Sequence, residues 1–415
     1  MTREMKNSGI EWIGQIPADW EYSKLKHFYA FEKGTNAAIY TQEYIGQNVG
    51  EYPVYSGQTE NDGVMGKINS YDYDVEECLF TTTVGAKVMT PKILRGKFSL
   101  SQNCLIMKKI KECNNSFMYY TLISLFDYEK KMIPTYMQPS LRMEDLRKYA
   151  LYLPTLTEQK KIADFLDSKV SEIDKMIAET KSSIENYKEY KQSIITEAVT
   201  KGLNKDVQMK DSGIEWISEI PAHWNVNMLS QIFYQHKCKN KNLEENNLLS
   251  LSYGKIKRKD INVNEGLLPE SFDNYNIIDA NDIVLRLTDL QNDHKSLRVG
   301  LATEKGIITS AYVTLRSKNK MDTKYFYYYL HTFDVHKGFY GMGCGVRQGL
   351  NFEELRKLKI LYPCVEEQKK IVDFLDEKCS QIDTLVEEKE IFIATLEEYK
   401  KSLIYEYVTG KKLVL

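Results

Sequence analysis

The chain has 415 residues, more than one ordinary domain needs and enough for two or three with full cores. Its 42% hydrophobic and 27% charged residues exclude a largely disordered polymer. Fifty-six basic against 58 acidic residues leave a formal charge of −2, which by itself says nothing for nucleic acid binding. No apolar run approaches the roughly 18 residues of a membrane span, and MTREMKNSG lacks the apolar core of a signal peptide. Cys78, Cys104, Cys113, Cys238, Cys344, Cys364 and Cys379 form no CxxC pair, so neither a disulfide framework nor a zinc ribbon is expected. A reducing cytoplasm is the expected location.

In chain order, a lead segment MKNSGIEWIGQIPADW (5–20) opens the sequence. A middle of mixed character follows, 29–153, with β-rich runs at 51–57, 77–83, 86–91 and 97–108 and an aromatic helical stretch at 116–126. After Pro154 comes a long run free of proline and glycine, with apolar residues alternately three and four apart. Ile162, Leu166, Ile173, Ile177, Ile184 and Ile194 lie on that seam, the pattern of a coiled coil. At about 1.5 Å per residue the seam is roughly 55 Å long.

The lead segment then returns as MKDSGIEWISEIPAHW (209–224), identical at twelve of sixteen positions. A second middle, 229–362, has β-rich runs at 246–254, 281–289, 298–306 and 307–316 and an aromatic helical stretch at 324–333. After Pro363 the long helical pattern also returns, with Ile371, Leu375, Ile382, Val386, Ile393 and Leu403 on its seam. The phrase LTEQKKIADFLDSKVSEID (156–174) recurs as VEEQKKIVDFLDEKCSQID (365–383), and PSLRMEDLRKY (139–149) as QGLNFEELRKL (348–358). The chain is therefore one unit written twice, and two copies suit a pseudo-twofold object rather than a solenoid. Matched ends with divergent middles indicate a shared frame carrying two different readers. The long narrow seams predict that the two helices pack on each other, antiparallel, holding the middles apart at opposite ends of a rod.

Local charge is more informative than the total. The second middle, 225–360, carries 20 basic and 15 acidic residues, whereas the final helix, 363–415, carries 8 and 12. Side chains of the right type for base and phosphate contacts are Lys67, Asn69, Thr82, Lys87, Gln102 and Asn103 in the first middle. In the second they are Arg258, Lys259, Arg286, Asn292, Lys295, Arg298 and Arg347. Arginine and lysine match guanine O6 and N7, and asparagine or glutamine matches adenine N6 and N7. Any one of them taken alone reads first as an ordinary solvated surface residue. The chain contains no GxxxxGK[ST], HExxH or GxSxG, and FYGMGCGVRQG (339–349) reads as a loop rather than an S-adenosylmethionine site, since no Asn-Pro-Pro-Tyr-type tetrapeptide accompanies it. No metal site and no catalytic residue are expected.

SGIEWIGQIPADW, the repeated P-x-x-x-E-Q-K-K-I-x-x-F-L-D (154–167 and 363–376) and GIITSAYVTLR (306–316) resemble the specificity subunits of type I restriction–modification systems. YPVYSGQTENDGVMG (52–66) followed by TTTVGAK (81–87) resembles one of that family's target recognition domains. The resemblance covers nearly the whole chain. It implies an α+β fold with long coiled-coil helices: lead segment and first target recognition domain at 1–153, a spacer helix at 154–204, lead segment and second domain at 205–362, a second spacer helix at 363–415. It implies a non-catalytic DNA reader in bacterial defence against foreign DNA. Each domain would read half of a split, asymmetric double-stranded target, and the helices would set the gap. The implied partners are two modification subunits that methylate adenine and restriction subunits that translocate and cut. S-adenosylmethionine, ATP and Mg would belong to those partners, with no cofactor on this chain and no membrane. The alternatives are a coiled-coil adaptor whose globular ends bind proteins, and a specificity subunit serving a fused nuclease–methyltransferase.

Overall fold

Each lead segment closes on itself as a small hairpin. In the first, β1 (Met5–Asn7) pairs antiparallel with β2 (Gln15–Pro17), and Lys6 Nζ donates to the carbonyls of Ala18 and Trp20 at 2.8 and 2.9 Å. The structure, a computed structural model, describes residues 3–57, 61–85, 87–260, 271–290, 297–319, 321–342 and 349–414. Two compact units divide the chain: residues 1–181 with 390–415, and residues 182–389. The change between units falls inside both long helices, so the units do not coincide with the two sequence copies.

In the first unit, β3 (Glu21–Lys24) leads to β4 (Tyr29–Lys33), α1 (Gln42–Gln47), β5 (Val49–Tyr55), β6 (Val64–Ile68), β7 (Tyr73–Thr82), β8 (Pro91–Leu100) and β9 (Cys104–Lys109). Then come α2 (Asn115–Met132), α3 (Met143–Lys148), β10 (Ala150–Leu153) and the first long helix, α4 (Leu156–Lys201). Six strands form one sheet in the order β4-β9-β7-β8-β5-β6, antiparallel except for β5 beside β8. β10 returns to pair with β3, which brings the start of α4 back beside the lead segment. Strand periodicity explains how the sheet serves two cores. Leu79, Leu105 and Met107 face the core shared with α2 and the long helices, while Cys78, Phe80, Cys104 and Ile106 face a second cluster with Tyr73, Phe98 and Leu100.

The second unit repeats the plan. Its hairpin is β11 (Met209–Ile214) with β12 (Ile217–Pro221), followed by β13 (Asn225–Met228), α5 (Leu229–Ile232), β14 (Phe233–Gln235), β15 (Leu249–Ser252) and β16 (Lys255–Arg258). β17 (Asn276–Ile278), β18 (Ile283–Leu285), β19 (Val299–Leu301), β20 (Gly306–Ile308), β21 (Val313–Ser317), α6 (Lys324–Val335), α7 (Phe352–Leu355), β22 (Lys359–Tyr362) and the second long helix, α8 (Val365–Val408), complete it. The central order β14-β21-β18-β19 reproduces β4-β9-β7-β8 strand for strand and in direction. Two middles with little sequence in common thus share one frame.

The duplicated phrases are the joints of that frame. Gln159 Nε2 donates to the Pro154 carbonyl and Gln368 Nε2 to the Pro363 carbonyl, each at 2.9 Å, folding the start of each long helix back on its preceding proline. Tyr120 and Tyr328 each donate a hydroxyl at 2.8 Å to the aspartate of the repeated phrase, Asp167 and Asp376. Leu141 N–H meets the Thr83 carbonyl at 2.8 Å and Leu350 N–H the Leu287 carbonyl at 2.9 Å, tying the LxxxxLR phrase to matching places in both readers.

The long helices pack antiparallel, as the contacts within each unit establish. In the first unit Asp174 pairs with Lys400 at 2.6 Å and the Phe165 ring meets Tyr407 at 4.5 Å. In the second Lys191 pairs with Asp383 at 2.6 Å and Lys389 lies 5.6 Å from the Tyr187 ring. Residue numbers rise on one helix as they fall on the other. Ile162, Leu166, Ile173, Ile177 and Leu403 are buried in the first unit, with Ile393 half-buried; Ile184, Ile371, Leu375 and Ile382 are buried in the second, with Val386 half-buried. Ile194 is half-buried and its neighbour Ile195 takes the core position with Ala198 and Val199. A strict heptad drifts about 20° against a straight helix, and here the end of α4 packs on the reader core rather than along a seam alone.

Each helix ends against a lead-segment tryptophan. Gly410 follows α8 at φ +66°, and a Cβ there would stand 2.4 Å from Pro17 Cγ and 3.0 Å from Trp20. Gly202 follows α4 at φ +74° with a Cβ position 3.1 Å from Trp224. The left-handed stop and the close approach both require glycine.

Strand expectations differ from the structure in both middles; in the second, the run 307–316 is divided between β20 and β21. Residues 97–108 are two strands separated by a turn at Ser101–Asn103, where Asn103 is left-handed at φ +65°. Of the run expected at 86–91, residues Lys87–Thr90 form no strand but a turn hooked onto Thr82, and Pro91 begins β8. The Thr82 hydroxyl donates to the Lys87 carbonyl and accepts from Thr90 N–H at 3.2 Å, while Met89 N–H meets the Thr82 carbonyl at 2.9 Å. Val88 and Met89 satisfy their hydrophobicity by dropping into the core from the turn, so the apolar run did not need a strand.

One group in α6 makes stability depend on pH. Burial, aided by Lys191, lowers the His331 pKa to about 4. Its stabilising contribution as a neutral ring is therefore complete above pH 6.5 and is lost as pH falls toward 4. The expected loss is up to about 3 kcal/mol. Denaturant unfolding of the whole chain at pH 7.5 and pH 4.5 should show a smaller drop for His331→Gln than for wild type; equal drops would refute the assignment.

Candidate nucleic-acid interface

The first reader carries a groove of about 720 Å³ on its sheet edge, of mixed polar and apolar lining, walled by Lys33, Thr83, Gln102, Asn103, Ser140 and Arg142 among others. A second hollow of about 410 Å³ shares Val84, Ser101, Gln102 and Asn103 with it and adds Tyr40 and Ser56. The Ser101–Asn103 turn therefore projects between two adjoining depressions. Its shape comes from the backbone: Ser101 N–H donates to the Tyr55 carbonyl and Thr83 N–H to the Asn103 carbonyl, each at 2.8 Å. Asparagine tolerates the left-handed conformation that the tip needs. The facing wall is the duplicated phrase, held by the Val84–Ser140 bridge and the Leu141–Thr83 bond. Arg142 stands exposed at the start of α3, whose first turn is closed by Asp145 accepting from Arg142 N–H at 3.0 Å.

Electrostatically the groove places the exposed cations Lys33 and Arg142 beside neutral amides and hydroxyls, with Glu144 the acidic group on its wall. Burial pushes the Cys104 thiol up to about 12, so it stays neutral and weakly nucleophilic. Burial, with Asp72 accepting its hydroxyl, moves Tyr40 to about 12. Such a site supplies hydrogen-bond donors and acceptors at a surface. Among the described residues no three potential ligands cluster as a metal site, and no helix is long and apolar enough to cross a membrane.

The structure separates the sequence candidates. Gln102 and Asn103 come together at the groove, exposed. Lys67, Asn69 and Lys87 are exposed on the same unit but line neither hollow. Thr82 is a correction: it is buried, and both its hydroxyl bonds are committed to the 87–90 turn. In the second unit Arg258 and Lys259 are exposed on and after β16, and Arg258 forks onto Glu304, with Nε at 2.7 Å from Oε1. Arg286 is half-buried just after β18. Arg298 is the second correction: it is fully buried and its guanidinium faces the protein's own carbonyls. Asn292, Lys295 and Arg347 lie outside the described residues. Lys33, Ser140 and Arg142 escaped sequence reasoning. A signal for Arg142 existed, since it is a differing position inside a matched phrase, with Asn351 in its place in the second copy.

A family model described as the type I restriction modification DNA specificity domain matches the chain twice, over residues 17–186 and 221–391. The chain belongs to that family. Each match in this specificity subunit begins at the equivalent proline of a lead segment, crosses one reader and ends inside the following long helix. The type I restriction enzyme MjaVIII specificity subunit of Methanocaldococcus jannaschii is 25% identical over 96% of this chain and 94% of that one. The type I restriction enzyme MpnII specificity subunit of Mycoplasma pneumoniae is 36% identical over 127 residues, which is 30% of this chain and 37% of the relative. S.MpnORF507P from the same organism is 38% identical over a match spanning 34% of its length. In fold, a chain from a solved type I restriction–modification system superposes with a TM-score of 0.68 at 13% identity, covering 96% of this chain and 99% of that one.

Proposed function

We propose that this specificity subunit is the non-catalytic DNA reader of a type I restriction–modification complex, each reader recognising one half of a bipartite, asymmetric double-stranded target. The observation that carries the proposal is the pairing of identical strand order in the two units with chemically different loops on it. One frame with two surfaces is what two unlike half-sites require. In the first unit the Gln102–Asn103 tip reads base edges in the major groove, and Lys33 and Arg142 hold phosphates. The antiparallel helices set the unread gap and dock two modification subunits, which cover the acidic helix surface. Those subunits methylate adenine using S-adenosylmethionine. Restriction subunits add ATP- and Mg-dependent translocation and cutting, all in the cytoplasm. Division of labour suits the chemistry: a methyltransferase must take its base out of the stack, and a separate chain gripping both flanks keeps the register.

A genome-wide adenine-methylation map with and without this chain tests the reading. A gapped two-part motif that loses methylation on deletion supports it, and unchanged methylation with the partner subunits expressed favours an adaptor. Within the complex, Gln102→Ala is expected to cost about 1–3 kcal/mol at one base position and leave the others alone. Lys33→Ala should instead weaken all sequences about equally and reduce the salt dependence by about one unit of slope. Binding assays on a panel of single-base variants at two salt concentrations distinguish these two signatures.

A further inference from the structure

Arg298, just before β19, is fully buried, an expensive place for a guanidinium unless its donors are met. Its Nη1 donates to the carbonyls of Arg286 at 3.1 Å and Thr288 at 2.8 Å, and its Nη2 to that of Asp289 at 3.2 Å. Its Nε donates to the Tyr340 hydroxyl at 3.2 Å, with the guanidinium 5.2 Å from the Tyr340 ring centre. Its own backbone is held from both sides: the N–H donates to the buried Asp334 carboxylate at 2.5 Å, and the carbonyl accepts from Arg286 N–H at 2.9 Å. Three of the four carbonyls from 286 to 289 thus converge on one side chain lying beneath them. The loop they belong to turns Thr288 and Asp289 to solvent, leaves Arg286 half-exposed, and includes a left-handed non-glycine residue, Asp289 at φ +58°. That conformation costs energy unless its surroundings enforce it.

The equivalent loop of the first reader is secured differently. There Thr82 hooks the 87–90 turn through its hydroxyl. In both units the residue preceding the loop's junction with the LxxxxLR phrase, Thr82 or Arg286, sits where the fold changes from shared frame to variable surface. The junctions themselves are the matched Leu141–Thr83 and Leu350–Leu287 bonds.

We propose that Arg298 is a positioning residue for the second reader: it shapes the 286–290 loop from below so that Arg286, Thr288 and Asp289 meet DNA in one geometry, without touching DNA itself. The proposal rests on the DNA-reading function above. Lysine retains the charge but has no planar fork to span three carbonyls, so Arg298→Lys is the informative substitution. In cells carrying the full chain and its partner subunits, R298K is expected to relax discrimination about ten-fold or more at one half-site. The other half-site and the gap should stay as in wild type. Hydrogen exchange on the purified chain should show faster exchange at the amides of 286–290 while the β14-β21-β18-β19 sheet keeps its protection. Tyr340→Phe, which removes one partner and no charge, should produce the same one-sided relaxation at smaller size and guards against R298K failing to fold.

Wild-type tolerance at both half-sites in R298K and Y340F would overturn the proposal. So would loss of both half-sites together, or loss of sheet protection in both variants, since each makes Arg298 a general stability residue. A wild-type chain that yields no gapped motif would refute the DNA-reading function instead, and the exchange experiment would still decide whether Arg298 shapes the loop.

Discussion

Inserting four residues into each long helix, between Lys181 and Ser182 and between Lys389 and Glu390, is expected to widen the unread gap of the DNA target by about two base pairs while leaving both half-sites unchanged. The places are those where the chain passes from one compact unit to the other. Four residues add about 6 Å of helix, and base pairs are stacked 3.4 Å apart. Both helices must be lengthened, because their pairing has a register. Asp174 with Lys400 and Lys191 with Asp383 fall on the same antiparallel alignment, and Phe165 with Tyr407 and Tyr187 with Lys389 lie within two residues of it. Lengthening one helix alone would move buried Ile162, Leu166 and Ile173, or their opposite numbers Leu396 and Leu403, off the seam. That variant is expected to lose methylation altogether. A methylation map reads all three chains in one experiment; an unchanged gap in the doubly lengthened protein would show that the helices are not the ruler.

Trp224→Ala is expected to destabilise the protein by about 3–5 kcal/mol, the usual cost of emptying a large buried aromatic site. The indole is fully buried beneath the end of α4, edge-on to Tyr325, and its Nε1 donates to Glu367 at 2.9 Å. Removing it opens a cavity where the lead segment, the reader helix and both long helices of the second unit meet. The first unit offers an internal control. Trp20 occupies the matching place, edge-on to Phe117 and packed on Gly410, but its Nε1 has no acceptor among the described residues. Phenylalanine should therefore be tolerated better at 20 than at 224, where it also forfeits a bond to a charged acceptor, a difference of about 1–2 kcal/mol. Denaturant unfolding of the three variants measures it, and equal costs for the two phenylalanine substitutions would remove Glu367 from the account.

Much of the site's difficulty lies in what makes a side chain available. Thr82 and Arg298 have side chains of the type that contacts DNA, yet both are turned inward to hold loops. No local pattern distinguishes them from Gln102 and Asn103, which are exposed at a turn tip. Burial of a polar residue depends on whether unsatisfied carbonyls lie within reach, and those carbonyls come from segments distant in sequence. Arg142 reached the groove in the same way, through the Val84–Ser140 bridge.

By itself the sequence determined the duplication, the α+β character, the long helices and their antiparallel packing. It also picked out the repeated phrases that serve as joints: their glutamine and aspartate make the same bond in both units, as do Lys6 and Lys210 of the lead segments to the carbonyls of Trp20 and Trp224. Periodicity and repetition are local or self-referential signals, so they survive without coordinates. Only the tertiary structure decided that two dissimilar middles share the order β4-β9-β7-β8 and β14-β21-β18-β19, and that the compact units cut across the helices. Strand order is set by long-range pairing, and the same alternation of apolar residues fits several orders. It also decided which polar groups face solvent, because that is settled by the carbonyls and charges that folding brings beside them.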